Sequence, residues 1–392
     1  MNLPVKTTQN KMKINKFIPA VLMVMACGQS ANQQTEMTTN DMSESYMFLL
    51  GTYTSTPEQG IHLLEFEPEK GFNLLASASE PENPSFVIPN NKQNLVFAVE
   101  ETGGDDGGKV SSFHLNEGAL SKINTVSAEG DSPCYLSLDP SENFIVAANY
   151  SSGNFAVIPV GSDGRLHAAV QVISHGGSSV NPNRQKQPHV HAAVFHPHDG
   201  RLLVADLGTD EVVVYNFDPE EEKPLVTAPH FRLKVKAGAG PRHMVFDAAG
   251  EMLYLIHEIT AEIGVYRYQD GTLEHLETRS LLTKDFTGSV GAAEIRLSPD
   301  EKFLYASNRG EANEIIVFQI SDQGKLNHIQ TLSSGGNTPR NFNLTPDGKF
   351  VLVANQNSNS LLAFERNPEN GTLNPTDHRI EIHKPVYINF LP

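Results

Sequence analysis

The chain is predicted to be all-β: a seven-bladed β-propeller of four-stranded antiparallel blades, its ring closed by pairing of the N- and C-terminal strands. Three observations carry this expectation. A unit that starts at a Pro or small residue, runs into alternating apolar positions and then passes a turn into a more hydrophobic strand recurs along the chain. Its copies are spaced roughly 46 to 57 residues apart, the length of one four-stranded blade. The last copy stops at KPVYINFLP, whereas the first strands, YMFLLGTYTS and GIHLLEFEPE, lack a leading strand. Joining the two ends completes a seventh blade and removes the open sheet edges.

The N-terminus reads as an address. Lys11, Lys13 and Lys16 precede the apolar run from Phe17 to Ala26, which has the charged start and short apolar stretch of a secretory signal and is too short to span a bilayer. The run ends Val24-Met25-Ala26-Cys27, which resembles a bacterial lipobox whose cysteine carries the lipid. The polar residues 28 to 45 cannot bury enough surface to fold. The expected organisation is therefore a signal segment over 1–26, a flexible tether over 27–45 and the propeller over 46–392. The expected location is the cell envelope, periplasmic or membrane-anchored, with the membrane met through the lipid alone.

Within the body, the clearest copies start at Ser132 (SPCYLSLDPSENFIVAANY), Gly240 (GPRHMVFDAAGEMLYLIHE) and Thr338 (TPRNFNLTPDGKFVLVANQ). Fainter ones begin near Pro84, Val190 and Ala292. Turns such as SPDEK, TPDGK and HPHDG join the first two strands of each unit. A third strand such as NEIIVFQI follows, and motifs such as DGTL, DQGKL and NGTL lead into the fourth.

Composition excludes some partners. With 29 basic against 46 acidic residues the net charge is -17, and no basic patch offsets it, so a nucleic-acid partner is not expected. Cys134 is left without a second cysteine once Cys27 is assigned to lipidation, and reads as a small buried apolar residue. The acidic loop from Glu101 to Gly108 lacks the ordered spacing of a calcium loop and reads as a solvated hairpin tip. His189 and His191 would share one face of a strand, but no third ligand has a convincing spacing, so no metal is expected.

Positions where the copies disagree are the candidates for function, because shared positions hold the scaffold. One residue after the anchor the copies read Ser85, Cys134, His191, Arg242, Ala293, Arg340 and Val386. If the anchored strand is innermost in its blade, His191, Arg242 and Arg340 face one end of the central channel. At the end of the second strand stand Glu101, Tyr150, Leu207, Glu258, Arg309 and Gln356, preceded in several copies by an Asn expected to cap a turn. Glu258 shares a blade with Arg242, as a base or as the ion-pair partner that fixes the arginine.

The segments GTYT at Gly51 to Thr54, H-V-H at His189 to His191, G-P-R-H-M-V-F at Gly240 to Phe246, His257-Glu258, and T-P-R-N-F at Thr338 to Phe342 resemble the lactonase family of seven-bladed propellers, which includes bacterial 6-phosphogluconolactonase and is similar to carboxymuconate cyclase. The resemblance runs from about Tyr46 to the C-terminus. It implies a site lined by His191, Arg242, Glu258 and Arg340, with His189 and His243 beside it for substrate binding. The chemistry implied is hydrolysis of a sugar lactone: His191 or Glu258 activates water, and the arginines stabilise the oxyanion and bind an anionic substituent. No cofactor is implied, the partner is a small anionic lactone, and a monomer is expected. A cyclase-like isomerase and a non-catalytic binding propeller are the alternative readings, separated from hydrolysis by assaying lactone opening against lactone formation.

Overall fold

The computed structural model describes residues 44–56, 59–116 and 118–391; the signal segment 1–26, Cys27 and the tether up to residue 43 lie outside the described residues. The described residues form seven four-stranded antiparallel sheets, the seven blades of a propeller. The innermost strands are Pro385–Phe390 in blade 1, Val87–Pro89 in blade 2, Pro133–Leu138 in blade 3, Val190–Phe195 in blade 4, Pro241–Phe246 in blade 5, Val290–Leu297 in blade 6 and Pro339–Leu344 in blade 7. Blade 1 is the clasp. Its second strand, Tyr46–Thr52, pairs with the last strand of the chain, Phe48 opposite Phe390 and Gly51 opposite Tyr387.

Second strands such as Leu95–Glu100 and Phe144–Asn149 are buried along their whole length, because each lies between two neighbouring blades. That is why they read as unbroken apolar runs rather than alternating ones. Fourth strands such as Leu373–Glu381 face solvent and carry most of the polar residues. The core is a set of interblade clusters: Phe48, Phe66 and Phe390 of blade 1 pack on Leu352, Ala354 and Leu361 of blade 7. Burying Phe48 stabilises the clasp by about 2 kcal/mol. Gly51 stands where a Cβ would come 2.1 Å from the Pro84 carbonyl oxygen, so blades 1 and 2 approach closely only because this position has no side chain.

The expected turn-capping role of the asparagines is corrected by the geometry. Asn149 Nδ2 donates to the Ala128 carbonyl at 2.7 Å and Asn355 Nδ2 to the Ser334 carbonyl at 3.0 Å. Both carbonyls belong to the end of the preceding blade, so these side chains staple blade to blade and satisfy buried backbone acceptors.

Two repeated backbone features shape one end of the channel. Asn83, Ser132, Gly240, Thr338 and Lys384, the residues before the five anchoring prolines, all have positive φ, between 36° and 69°. In blades 1, 3, 4, 5, 6 and 7 the pairing of innermost with second strand then slips at the residue after the anchor. Such a bulge leaves that residue without a partner across the ladder and re-aims its side chain. The residues left out are Val386, Cys134, His191, Arg242 with His243, Ala293 with Glu294, and Arg340, and side chains among them from neighbouring blades meet, as Cys134 and His191 do.

Candidate active site

The bulge residues form one ring around the channel mouth, and the residues ending the second strands form another beside it. Backbone bonds lock the two together: Glu258 N donates to Gly240 O at 2.7 Å, Tyr150 N to Ser132 O at 2.9 Å and Glu101 N to Asn83 O at 3.1 Å. In blade 5 this brings Arg242 and Glu258 together, Nε to Oε2 at 3.0 Å. Arg242 also donates through Nη1 to the Ala293 carbonyl of blade 6 and is only 2% exposed. Arg309 of blade 6 reaches the same Glu258 Oε2 at 3.0 Å while its Nε holds the Gly291 carbonyl at 2.8 Å. Arg184, from the segment joining blades 3 and 4, donates to Glu258 Oε1 at 2.6 Å.

His191 Nε2 lies 3.8 Å from Glu258 Oε2, and His191 Nδ1 lies 3.7 Å from Cys134 Sγ. Cys134 is buried, yet it is not merely apolar filling: its sulfur is also 3.6 Å from the His191 carbonyl oxygen. Burial raises the thiol pKa, so the S–H stays on, with the His191 carbonyl oxygen and Nδ1 both within reach of the sulfur. In the tautomer with Nδ1–H directed at the sulfur, Nε2 is the ring nitrogen without a proton.

Electrostatics lower the basicity of both candidate bases, for different reasons. Burial, reinforced by Arg242 and His243, holds the His191 pKa well below its ordinary 6.5, so the ring is uncharged. Burial alone would raise Glu258, but Arg309, Arg242, His191 and Arg184 outweigh it and hold the carboxyl well below its usual range. A carboxylate bound by three guanidinium groups is a poor proton acceptor and a firm anchor for those groups. Burial and Arg309 push Arg242 down to about 10, still charged at neutral pH.

Arg340, on the innermost strand of blade 7, pairs with a second carboxylate, Glu101. Its Nη2 is 3.8 Å from Glu101 Oε2, and its guanidinium stands 5.3 Å from the centre of the Tyr53 ring. Tyr53 OH donates to Glu101 at 2.8 Å, and Ser85 Oγ donates to the same carboxylate. Glu101 is therefore part of the mouth, a correction to its reading as the start of a solvated hairpin tip.

His189 stays at the rim, its ring stacked on Tyr150 at 4.5 Å with Nδ1 facing the Tyr150 carbonyl at 2.9 Å. The Tyr150 ring also meets His191 edge-on, so the two histidines contact one tyrosine rather than sharing a ligand. Among the described residues, no cluster of three or more His, Cys, Asp or Glu is arranged to hold a metal ion. His243 lies one layer deeper, against Glu294 (Nδ1 to Oε1, 3.3 Å) and edge-on to both Tyr135 and His191. With the Phe86 ring packed at a tilt between Tyr135 and Tyr387, centroids 4.2 and 3.9 Å away, this layer floors the mouth.

Arg184, Arg309, Glu101 and Tyr53 are site residues that sequence reasoning did not single out. Arg309 and Glu101 were visible in principle, since both stand in the same aligned column as Glu258. Arg184 falls outside the repeat, so no column contains it. At the far end of the channel a cavity of about 580 Å³ is lined by Leu136, Leu138, Val194, Phe195 and Phe390, with no arginine or lysine.

A propeller that gathers four arginines, two glutamates and an uncharged histidine around one floored mouth has a concave, polar site of the kind that takes a small molecule. The sequence profile described as "Lactonase, 7-bladed beta-propeller" matches residues 47–390, and the chain belongs to this lactonase family, a family of carboxylic ester hydrolases. It is 30% identical over 355 residues to a 6-phosphogluconolactonase of Bacillus subtilis, covering 88% of this chain and 98% of the relative. A 6-phosphogluconolactonase of Formosa agariphila is 32% identical over 332 residues, covering 83% and 93%. Among solved structures, the periplasmic gluconolactonase PpgL of Pseudomonas aeruginosa is similar at 37% identity with a TM-score of 0.85, covering 89% of this chain and 99% of that one.

Proposed function

We propose that the chain hydrolyses an anionic sugar lactone at this mouth, with His191 as general base and Arg242 and Arg309 as the oxyanion-binding pair. The observation that carries the reading is an uncharged His191 whose Nε2 faces a carboxylate already saturated by arginines. His191 Nε2 takes a proton from water as the water oxygen bonds to the lactone carbonyl carbon. The negative charge that develops on the carbonyl oxygen is met by Arg242 Nη2 and Arg309 Nη1, which carry no hydrogen bond among the described residues. On collapse the ring C–O bond breaks, and the imidazolium returns its proton to the departing ring oxygen, leaving an open-chain hydroxy acid. Glu258 holds the arginines and balances the transient imidazolium.

The substrate charge follows from a count. Four guanidinium groups, Arg184, Arg242, Arg309 and Arg340, face two carboxylates, Glu101 and Glu258, a formal surplus of two positive charges in a chain of net charge -17. A phosphate or carboxylate on the lactone satisfies it. Export to the cell envelope, with Cys27 as the lipidated residue, is part of the same proposal; the periplasmic relative supports the compartment.

The test is hydrolysis of 6-phosphogluconolactone and of glucono-δ-lactone above their spontaneous rates, with lactone formation from open-chain acids measured in parallel. Acceleration lost in His191→Gln and Arg242→Ala supports the proposal. A folded protein that opens neither lactone refutes it.

A further inference from the structure

Three of the four mouth arginines spring from blade strands. Arg184 does not: it comes from the segment between the last strand of blade 3, Gln171–Ser174, and the innermost strand of blade 4. That segment is pinned where it needs to be. Gln185 is fully buried, its Nε2 donating to Leu207 O and Asp210 Oδ1, both at 2.8 Å, and its Oε1 accepting from Asn181 N at 3.1 Å. Asn181 Oδ1 in turn accepts from Asn183 N at 3.0 Å and Arg184 N at 3.1 Å. The Arg184 backbone is thus held in place before any ligand arrives, which lowers the entropic cost of binding through it.

The guanidinium uses one nitrogen for all its contacts. Nη2 donates to Tyr150 OH at 3.1 Å and to Glu258 Oε1 at 2.6 Å, while Nε and Nη1 have no hydrogen bond among the described residues. Tyr150 and Glu258 are the two residues that flank His191, so Arg184 bridges the sides of the base. Its side chain is 41% exposed, against 2% for Arg242, 15% for Arg309 and 17% for Arg340. It is the most exposed of the four mouth cations, and its Nε and Nη1 remain open to a ligand. It is also separable: Arg242 and Arg309 share Oε2 and are tied to blade 6 carbonyls, so Glu258 keeps two arginines when Arg184 is removed.

We infer that Arg184 is the specificity-determining residue of the site, holding an anionic group on the exocyclic arm of the lactone while Arg242 and Arg309 serve the reacting carbonyl. The inference rests on the lactonase reading of the mouth and adds the residue that selects among lactones. The group it recognises is a phosphate or a carboxylate, since both offer the paired oxygens that a guanidinium fork binds.

The experiment measures kcat and KM for three lactones on the wild type, Arg184→Ala and Arg184→Lys: 6-phosphogluconolactone, a carboxylate-bearing glucarolactone and uncharged glucono-δ-lactone. Arg184→Ala is expected to raise KM for the preferred charged lactone about 10- to 100-fold more than it raises KM for the uncharged lactone, so that the selectivity between them falls by that factor. Lysine restores part of the loss because it keeps the charge without the fork. Whichever charged lactone loses more identifies the group. An equal loss on all three lactones, or none on the charged ones, overturns the inference. Calorimetric titration with 6-phosphogluconate and gluconate is the second readout: the wild type should prefer the phosphorylated acid and Arg184→Ala should not, and a preference that survives the substitution overturns the inference. A wild type that opens no lactone removes the lactonase reading, while the titration still decides whether Arg184 selects anions.

Discussion

Glu258 and Glu101 occupy the same place in the repeat, at the end of the second strand in blades 5 and 2. Each donates its backbone N–H to the residue before the blade anchor. Their surroundings differ completely. Glu258 is bound by Arg242, Arg309 and Arg184 and lies 3.8 Å from His191 Nε2. Glu101 is bound by the hydroxyls of Tyr53 and Ser85, with one arginine at 3.8 Å. The repeat supplies the position, and the neighbouring blades decide whether a carboxylate there becomes a counter-ion for cations or an acceptor that orders hydroxyls. That is why the arginine cluster collects at Glu258, although blade 2 offers a carboxylate in the same register.

The comparison is broken most directly at His191. His191→Gln should lower kcat about 10²- to 10⁴-fold with the fold retained, measured by steady-state kinetics beside circular dichroism. A larger loss in Glu101→Gln than in His191→Gln would move the base to Glu101. Next in size is stability. Glu258→Gln leaves three guanidinium groups around a neutral amide and should cost about 3–5 kcal/mol in urea unfolding. Glu101→Gln, which exchanges one acceptor among hydroxyls, should cost about 1 kcal/mol.

A third prediction concerns pH. Burial holds His243 and His257 down to about 4, with Arg242 adding to the effect on His243. The unfolded chain, with its histidines near 6.5, then binds more protons than the folded one as the pH falls. Stability is full above 6.5 and is lost on acidification through 4, by about 3 kcal/mol per histidine. Urea midpoints at pH 7, 5.5 and 4 check the sign, and a midpoint that does not fall refutes it. The smallest effect is expected at Cys134→Ala. Losing the sulfur that faces His191 Nδ1 should lower kcat by less than about tenfold and leave KM unchanged, because it releases the tautomer but not the base.

How much of this was legible in the sequence depends on whether a residue belongs to the repeat. The blades, the clasp between the two ends and the convergence of His191, Arg242 and Arg340 on one channel end all follow from aligned columns. What alignment does not carry is the bulge after each anchor, which separates Arg242 at the mouth from His243 one layer below, although they are adjacent in the chain. Nor does it show that Glu101 folds back under Tyr53, since its sequence neighbours make an acidic loop. Arg184 was out of reach for a different reason: an interblade segment has no counterpart in the other copies, and its place over the mouth depends on Gln185 filling a buried slot.

The clasp has a consequence for how the molecule is made. The strand that completes blade 1 is Pro385–Phe390, synthesised after every other strand of the propeller, and its partner Tyr46–Thr52 is the first strand of the propeller to appear. Until Pro385–Phe390 arrives, Tyr46–Thr52 keeps one unpaired edge and Phe48 lacks its ring partner Phe390. The circle therefore closes late, after a long stretch of chain has waited open.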